Sequence, residues 1–290
     1  MSTQVPGWVG PVMRIGYSAR GLVYVVVGVL AVFAAYYGGQ AEGTRGALAT
    51  LTDKSWGNAL LGFITLGLFA YAIWRAIDAF LDLENEGDGP KGWVARIGML
   101  VSGIVHLSLG AYAFSLVFSS DGSRGSGTTQ STIAQVLEQP YGQWLVVAAG
   151  LATIGAGIYF WNKALNKSYK RNLAFTATSQ KLDPLVRFGL MAHGTVVGLI
   201  GAFILWAGYT HDASEAGGIG QAFETIRTSL GGQVALGIIG AGLIAFALYC
   251  FIEAAYRIVP RRAQGSVTTL ADKGRQAARE AQNAARRATN

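Results

Sequence analysis

Charged residues are scarce in this sequence, and their scarcity argues against an ordinary soluble domain. Asp, Glu, Lys and Arg form 13% of the 290 residues, whereas soluble domains contain about a quarter. The one cysteine, Cys250, excludes a disulfide within the chain and every metal or haem-attachment pattern built on paired cysteines. The nucleotide-binding and hydrolase motifs of soluble enzymes are also missing. We therefore expect a protein that is not an enzyme, with no catalytic residues, no cofactor and no metal site.

Apolar residues are abundant instead and form 51% of the chain. Six segments reach or approach the length of about 20 apolar residues that crosses the hydrocarbon core of a membrane. The first of them is short, and we expect Arg20 to extend it by reaching toward the lipid headgroups. The sequence thus predicts an all-α integral membrane protein with six transmembrane helices. The predicted spans are residues 21–37, 59–80, 98–118, 144–161, 190–209 and 234–256.

The sequence also repeats itself three times, with several landmarks in the same register. Such self-similarity over most of the chain indicates a triplicated structural unit. Each copy opens with arginine, an apolar residue and glycine, at Arg14-Ile15-Gly16, Arg96-Ile97-Gly98 and Arg187-Phe188-Gly189. Glycines follow at fixed offsets, at Gly21, Gly28, Gly103, Gly110, Gly194 and Gly201. Each copy later closes with a polar residue before an alanine, at Asp78, Lys163 and Glu253.

Each copy is predicted to be a helical hairpin that crosses the membrane twice. Hairpins that all begin on the same side are parallel repeats around an axis along the membrane normal, so we expect a pseudo-threefold bundle. We expect the six repeated glycines to pack helices closely, because helices in lipid associate through small residues. Apolar residues three and four positions apart predict short amphipathic helices on the outer surface, between the hairpin arms. These helices are predicted over 46–56, 131–141 and 219–230.

The repeats set the predicted domain boundaries. Membrane repeats occupy residues 14–83, 96–166 and 187–258. Cytoplasmic linkers over 84–95 and 167–186 connect them, and the second linker is basic. Residues 1–13 form a cytoplasmic amino-terminal segment, and residues 259–290 form a basic tail that is helical or disordered. The Gly- and Ser-rich stretch over 119–129 is typical of a flexible loop.

Lysine and arginine are distributed unevenly between the two sides of the predicted membrane. Of the 23 such residues, only Arg45, Lys54, Arg124 and Arg227 fall on the side away from the termini. Because positive residues concentrate on the cytoplasmic side, both termini are predicted to be cytoplasmic. The net charge of +7 then suits contact with anionic lipid at the cytoplasmic face, and we expect no nucleic acid partner.

Polar residues within or beside the spans are the candidate functional residues. At the cytoplasmic helix ends, Arg14 could pair with Asp78 and Arg187 with Glu253. Arg20, Arg75 and Arg257 could join them, and Lys163 would have to pair with Asp78 or Glu253 of a neighbouring repeat. His106 and His193 could bind haem or a metal or relay protons, but their four-residue offset in depth favours packing roles, and Arg20 is the third intramembrane candidate. The predicted structural charge collar consists of Arg14, Asp78, Arg96, Lys163, Arg187 and Glu253.

The first repeat resembles a known family. The segments that carry the resemblance are Arg14-Ile-Gly-Tyr-Ser-Ala-Arg-Gly-Leu-Val-Tyr24, Gly46-Ala-Leu-Ala-Thr-Leu and Tyr71-Ala-Ile-Trp-Arg-Ala76. They are similar to the prokaryotic membrane family of domain of unknown function number 1206. The resemblance covers about residues 12–258 and implies a two-helix unit in triplicate in a bacterial inner membrane protein. It implies no catalytic residues. The second copy departs from the pattern, because Lys163 replaces the usual acid.

Three classes of function remain open. An accessory or scaffold protein, which packs with partner membrane proteins, lipid or a second copy of itself, fits the glycine-rich and charge-poor spans best. A small-solute or ion carrier or channel is the first alternative, because mitochondrial-type carriers also consist of three parallel hairpins. Their Pro-x-acid-x-x-base ends of the odd helices are missing here. A redox or haem protein that uses His106 and His193 is the second alternative.

Overall fold

The computed structural model describes residues 7–118, 129–173 and 181–258. Residues 119–128 of the loop predicted over 119–129, and the basic tail at 259–290, lie outside the described residues, while Thr129 begins a helix. Two short 3₁₀ turns, Ser168–Asn172 and Ala213–Glu215, accompany nine α-helices in the described part of the chain. The helices are α1 (Val9–Tyr37), α2 (Thr44–Ala49), α3 (Gly57–Leu81), α4 (Pro90–Phe118), α5 (Thr129–Leu137), α6 (Gly142–Leu165), α7 (Asp183–Thr210), α8 (Ile219–Thr228) and α9 (Gly232–Tyr256).

Among the described residues, six helices are long and apolar enough to cross a membrane: α1, α3, α4, α6, α7 and α9. The chain is therefore an all-α, multi-pass membrane protein, as predicted. The helices extend beyond the predicted spans, and α1 begins at Val9, so that Arg14 and Arg20 lie inside it. A hydropathy count stops at such residues, whereas the backbone hydrogen bonds of a helix do not depend on side-chain polarity.

The six spans stand in a ring in chain order, and the ring is open at one place. α3 packs between α1 and α4, α9 packs between α1 and α7, and α6 packs against α7. The first and last spans are therefore neighbours, as three parallel hairpins around one axis require. The ring is incomplete because α4 and α6, the arms of the middle hairpin, are not packed against each other. Below, the end of the bundle with both described chain ends is the termini end, and the opposite end is the far end.

The closest contacts join different repeats, where the first arm of one hairpin meets the second arm of its neighbour. A Cβ atom added at Gly28 would lie 2.8 Å from the carbonyl oxygen of Gly240, and one at Gly201 would lie 2.6 Å from the backbone nitrogen of Ile154. The helices approach this closely only because glycine has no side chain. All six repeated glycines face such a contact: Gly21 and Gly28 face α9, Gly103 and Gly110 face α3, and Gly194 and Gly201 face α6.

Contacts within a repeat are equally close in the first and third hairpins but not in the second. A Cβ atom at Gly16 would lie 2.6 Å from the Cα of Tyr71, and one at Gly189 would lie 2.4 Å from the backbone nitrogen of Phe246. The equivalent glycine of the middle repeat, Gly98, has no neighbouring atom within 4 Å of that position. The same repeated glycine therefore lies at a close contact between the arms in two hairpins and at no such contact in the third.

The middle hairpin lacks the small residues that close the other two. In the first and third repeats, an alanine of the first arm packs so tightly on a glycine of the second that an added Cβ would lie 2.2 or 2.3 Å from the alanine Cβ. The middle repeat has valine and alanine instead, so it lacks the glycine on which such close packing depends. The valine is 55% exposed. The equivalent pairs are Ala19 with Gly67, Ala192 with Gly242, and Val101 with Ala152.

Short helices cover the far end of the bundle at the three places where amphipathic helices were predicted. α2, α5 and α8 lie between the hairpin arms and bury apolar side chains such as Leu48 and Phe223. Gly43, which precedes α2, approaches the backbone of Gly220 in α8 so closely that a Cβ atom would lie 2.7 Å from its nitrogen. The covers of the first and third repeats are thus in contact with each other.

Replacing Gly201 by alanine should destabilise the protein, whereas the same change at Gly198, one turn earlier on α7, should not. A Cβ at Gly201 meets backbone atoms of α6, while one at Gly198 meets nothing within 4 Å. Overpacking of a tight contact costs about 1–3 kcal/mol, and alanine favours the helix by up to about 1 kcal/mol where space allows. The measurement is the midpoint of thermal unfolding in detergent. Equal midpoints for the two variants would contradict the glycine contact.

Candidate functional site

A network of buried charged side chains lies at the termini end. Its first two members come from the end of α3. Arg75 and Asp78 are one turn apart and form an ion pair of 3.2 Å. α3 ends where Asp82 adopts a left-handed backbone conformation with φ 47°. The Asp82 carboxylate then accepts hydrogen bonds from the amides of Glu86 and Gly87 at 2.8 and 3.0 Å. This local turn directs the chain back beneath the bundle.

The turn brings Glu84 into the network, where it links the first and third repeats. Its carboxylate pairs with Arg75 at 3.3 Å and with Arg257, and it accepts a hydrogen bond of 3.3 Å from the Asn172 amide. Burial opposes ionisation of Glu84, but the guanidinium groups of Arg257 and Arg75 outweigh it and hold its pKa well below the ordinary value. A carboxylate with a lowered pKa stabilises the fold above its ordinary pKa, and this contribution is lost only as the pH falls.

The end of α9 supplies the third part of the network. Arg257 pairs with Glu253, which also accepts a hydrogen bond from the Tyr249 hydroxyl. The Arg257 and Glu253 side chains are 3% and 1% exposed. Backbone bonds hold this corner, because residue 257 pairs with Leu173 and the Ile258 amide donates to the Asn172 carbonyl at 2.9 Å. The linker after the second repeat is therefore tied to the end of the third.

Tyr71 extends the network into the middle of the membrane. Its hydroxyl accepts hydrogen bonds from Arg75 Nε and Arg20 Nη1, both at 2.9 Å. The Arg20 guanidinium also lies 5.0 Å from the ring centre of Phe246 and 5.7 Å from that of Tyr24, a distance typical of cation–π contacts. Arg20 is 5% exposed. The prediction that it reaches the lipid headgroups is therefore wrong, because the helix turns it toward the bundle interior.

The two intramembrane histidines converge on the same interior, among aromatic side chains. His193 stacks on Phe246 at 4.0 Å between ring centres and meets the edge of Phe160 at 4.6 Å. His106 lies 4.5 Å from the Tyr71 ring, and its Nδ1 is 2.7 Å from the Ser102 carbonyl. Nδ1 of His193 has no hydrogen-bond partner in the described structure. Both histidines thus contribute to packing around the centre.

Repeat register explains this convergence. Alignment of the three arginine–glycine landmarks places Arg20, Ser102 and His193 at one position, and Tyr24 and His106 at another. Equivalent positions of three hairpins around an axis face one another, so a comparison of the copies residue by residue indicates that Arg20 and His193 point to the same place. Treating each histidine by its depth alone misses this relation.

The predicted collar residues have different surroundings. Asp78 and Glu253 lie in the network, where their recorded ion pairs are with Arg75 and Arg257. The remaining members lie around it. Arg14 and Arg187 are partly buried, Arg96 donates to the Ala79 carbonyl at 2.5 Å and pairs with Asp88, and Lys163 lies over the rings of Tyr159 and Tyr249.

Sequence analysis missed Glu84, because the linker around it reads as a solvated turn, and the tyrosine hydroxyls of Tyr71 and Tyr249. The signal that could have pointed to an additional acid is the presence of Arg20, Arg75 and Arg257 within or at the ends of the spans, because each buried charge needs a partner. Within the described ranges, no group of three or more His, Cys, Asp or Glu side chains is arranged to hold a metal ion.

The open side of the ring is the second feature of the site. By repeat register, the residues that would meet in a closed middle hairpin are Gly98, Val101 and Val105 of α4 and Ala152, Ala156 and Tyr159 of α6, which together we call the lateral slot. Tyr159 is 55% exposed, whereas the equivalent Trp74 and Tyr249 are 1% and 3% exposed. Val105 is 56% exposed, whereas Val23 and Val196 are 2% and 1% exposed. Positions that are buried in two hairpins are therefore exposed in the third.

Comparison with known proteins gives one family and an uncharacterised relative. The model of the family described as Domain of Unknown Function (DUF1206) matches residues 15–82, 97–167 and 188–257, which are the three hairpins. The chain is 31% identical over 255 residues to the uncharacterized protein YxxB of Bacillus subtilis (strain 168), covering 86% of this chain and 92% of that protein. No solved structure matches the chain.

Changing Glu253 to glutamine should destabilise the protein strongly, because Arg257 would lose one of its two carboxylate partners. Breaking a buried pair costs about 3–5 kcal/mol, and the remaining Glu84 should keep the loss near the lower value. Adding Arg257→Gln should recover part of it, because the uncompensated charge is then removed. The measurement is thermal unfolding in detergent. Glu224→Gln is the control, since it breaks a similar pair with Arg227 at the surface and should leave the midpoint nearly unchanged. A double variant less stable than the single one would contradict the pairing.

Proposed function

Given that this chain belongs to the DUF1206 family, whose function is unknown, we propose that it is a non-enzymatic accessory or scaffold protein that packs with partner membrane proteins or lipid. The observation that supports this function is the lateral slot. A closed six-helix ring would offer lipid only the outer faces of its helices. An open hairpin offers two inner faces as well, at a defined place.

Burial along the ring supports the same function. α1 and α9 are the most buried spans, and α4 and α6, which border the slot, are the least buried. Membrane helices gain little from hydrophobic burial against each other and associate where their surfaces fit. The inner faces of α4 and α6 therefore form a surface that another membrane component can fill.

The side chains at the centre of the ring bear on the alternative functions. Arg20, His106 and His193 near mid-depth favour a small-solute or ion carrier as the second candidate. Packed rings of Tyr24, Tyr71 and Phe246 fill the space between them, which favours the scaffold.

Photo-crosslinking tests the scaffold function. A photoreactive amino acid placed at Val101 or Val105 in intact cells should give discrete adducts, with a protein or a lipid, because these side chains face the slot. The control position is Leu66 on α3, which is 70% exposed but lies away from the slot. Ala156→Phe, which introduces the kind of side chain found at the equivalent Tyr71 and Phe246, should fill the slot and abolish the adducts.

Adducts of equal pattern and yield from Val101 and Leu66 would contradict a docking role for the slot. The carrier function would be favoured if the Ala156→Phe variant kept full activity in a solute-uptake assay while a stable Arg20→Gln variant lost uptake. The two functions thus predict opposite sensitivities for the slot and the centre.

We further propose that the protein lies in the bacterial cytoplasmic membrane with both termini in the cytoplasm. The distribution of lysine and arginine supports this orientation. In it, the buried charge network and the basic linker face the cytoplasm, and α2, α5 and α8 cover the outer side. Anionic lipid of the inner leaflet would then lie beside the basic end of the bundle.

Cysteine labelling in intact cells tests this orientation. Ser266→Cys should not react with a membrane-impermeant thiol reagent, because residue 266 follows the last span and would be cytoplasmic. Ser55→Cys, at an exposed position of the far end, should react. The native Cys250 is buried and should contribute no signal. Labelling of Ser266→Cys without labelling of Ser55→Cys would reverse the proposed orientation.

A further inference from the structure

We propose that the lateral slot binds one phospholipid with an anionic headgroup, its phosphate at Lys163 and one acyl chain between α4 and α6. This inference rests on the proposed function and names the occupant of the same slot. It follows from the chemistry of the walls, from the charge at one end and from the depth at which that charge lies.

The walls of the slot suit a hydrocarbon chain. The side chains of Val101, Val105, Ala152 and Ala156 present only carbon atoms and leave no polar group to be satisfied. Ala152 and Lys163 are eleven residues apart on α6, which is about 16 Å at the rise of an α-helix. The slot therefore runs from the end of a span to the middle of the membrane, as an acyl chain does.

A partner helix suits these walls less well. Elsewhere in this ring, helices meet closely through glycine, and at Gly28 and Gly201 the glycine meets backbone atoms of the neighbouring helix. In the slot, the equivalent small pair is replaced by Val101 and Ala152. Because neither residue is a glycine, another helix would not approach here as closely as the helices do at Gly28 and Gly201. An acyl chain is thinner and flexible, and it can fit beside valine.

Lys163 places a positive charge at the termini end of the slot. It lies in the last turn of α6, at the depth of the lipid headgroups, and its ammonium group is 5.8 Å from the ring centre of Tyr159 and 5.7 Å from that of Tyr249. The equivalent residues of the other repeats, Asp78 and Glu253, are acids paired with arginines. The open repeat thus has the opposite charge at the position where the closed repeats have a carboxylate.

The network beside Lys163 holds no carboxylate that forms a recorded ion pair with it, although the lysine charge contributes to the low pKa of Glu84. Its carboxylates are Asp78, Glu84 and Glu253, and the recorded ion pairs of all three are with Arg75 and Arg257. The recorded contacts of Lys163 are aromatic faces. A lipid phosphate with net negative charge would give Lys163 a direct ion-pair partner, whereas a zwitterionic headgroup would bring a second cation with it. The slot should therefore prefer anionic over zwitterionic lipid.

Native mass spectrometry of the full chain tests this inference. The protein is released from vesicles of equal parts phosphatidylglycerol and phosphatidylcholine, and the retained lipid is identified. We expect one lipid per chain, with phosphatidylglycerol preferred about fivefold, since one basic residue near a membrane surface contributes about that factor. Lys163→Gln should keep the lipid and lose the preference. Ala156→Phe should lose the lipid, and Val105→Phe fills the slot from the opposite wall if Ala156→Phe does not fold.

Two control variants accompany these. Lys91→Gln removes an exposed charge at the same end, on the first turn of α4, and Leu66→Phe adds bulk on a lipid-facing side of α3. Both should retain phosphatidylglycerol as the unchanged protein does. Equal retention in Lys163→Gln, Ala156→Phe and these controls would overturn the lipid site. If lipid retention is unaffected while Ala156→Phe still abolishes protein adducts in cells, the slot holds a partner helix and the scaffold function stands without the lipid.

Discussion

The fold depends on a close helix contact at glycine that recurs three times around the ring. In lipid, apolar side chains gain little by leaving the surroundings for each other, so helices hold together where their surfaces meet closely. Gly28 on α1, Gly110 on α4 and Gly201 on α7 each remove the side chain that would separate one repeat from the next. The ring is therefore strongest between its repeats. Each hairpin can vary internally while its neighbours hold both of its arms.

The middle repeat shows the result of that freedom. Both of its arms keep their glycine contacts with the flanking repeats, yet they are not packed against each other, and Val101 and Ala152 replace an alanine and a glycine. The charge at the end of the same hairpin is reversed, since Lys163 stands where the other copies have acids. Two departures from the repeat thus fall in one hairpin, which combines exposed apolar side chains with a lysine at one end.

Much of this fold follows from the sequence, because the physical signals are repetitive. Six apolar stretches and a threefold register predict the ring, and the offsets of Gly21 and Gly28 predict which helix faces are in contact. The Val101–Ala152 substitution is also visible in the sequence once the copies are aligned. The separation of the two arms is harder to predict, because it depends on how closely two backbones can approach, which a hydropathy pattern does not register.

The charge network was less predictable, for a different reason. Asp78 and Glu253 are repeat landmarks, but their partners come from places that the repeat does not mark. Glu84 belongs to a linker and reaches the bundle only because Asp82 ends α3 in a left-handed turn. Asn172 comes from the connection after the second repeat. Arg20 is marked by its register with His193, but its hydrogen bond to Tyr71 depends on how two helices rotate against each other. Sequence pattern identifies the charged residues and leaves their pairing to the tertiary structure.

The contact between α1 and α9 also determines when the molecule can become stable during its synthesis. Of the six described spans, α1 leaves the ribosome first and α9 last, yet Gly28 packs on Gly240 and Arg20 lies against Phe246. Until the sixth span has been inserted, one flank of the Arg20 guanidinium faces the bilayer instead of an aromatic ring. A buried arginine in the first helix therefore makes delivery of the last helix a condition for the stability of both.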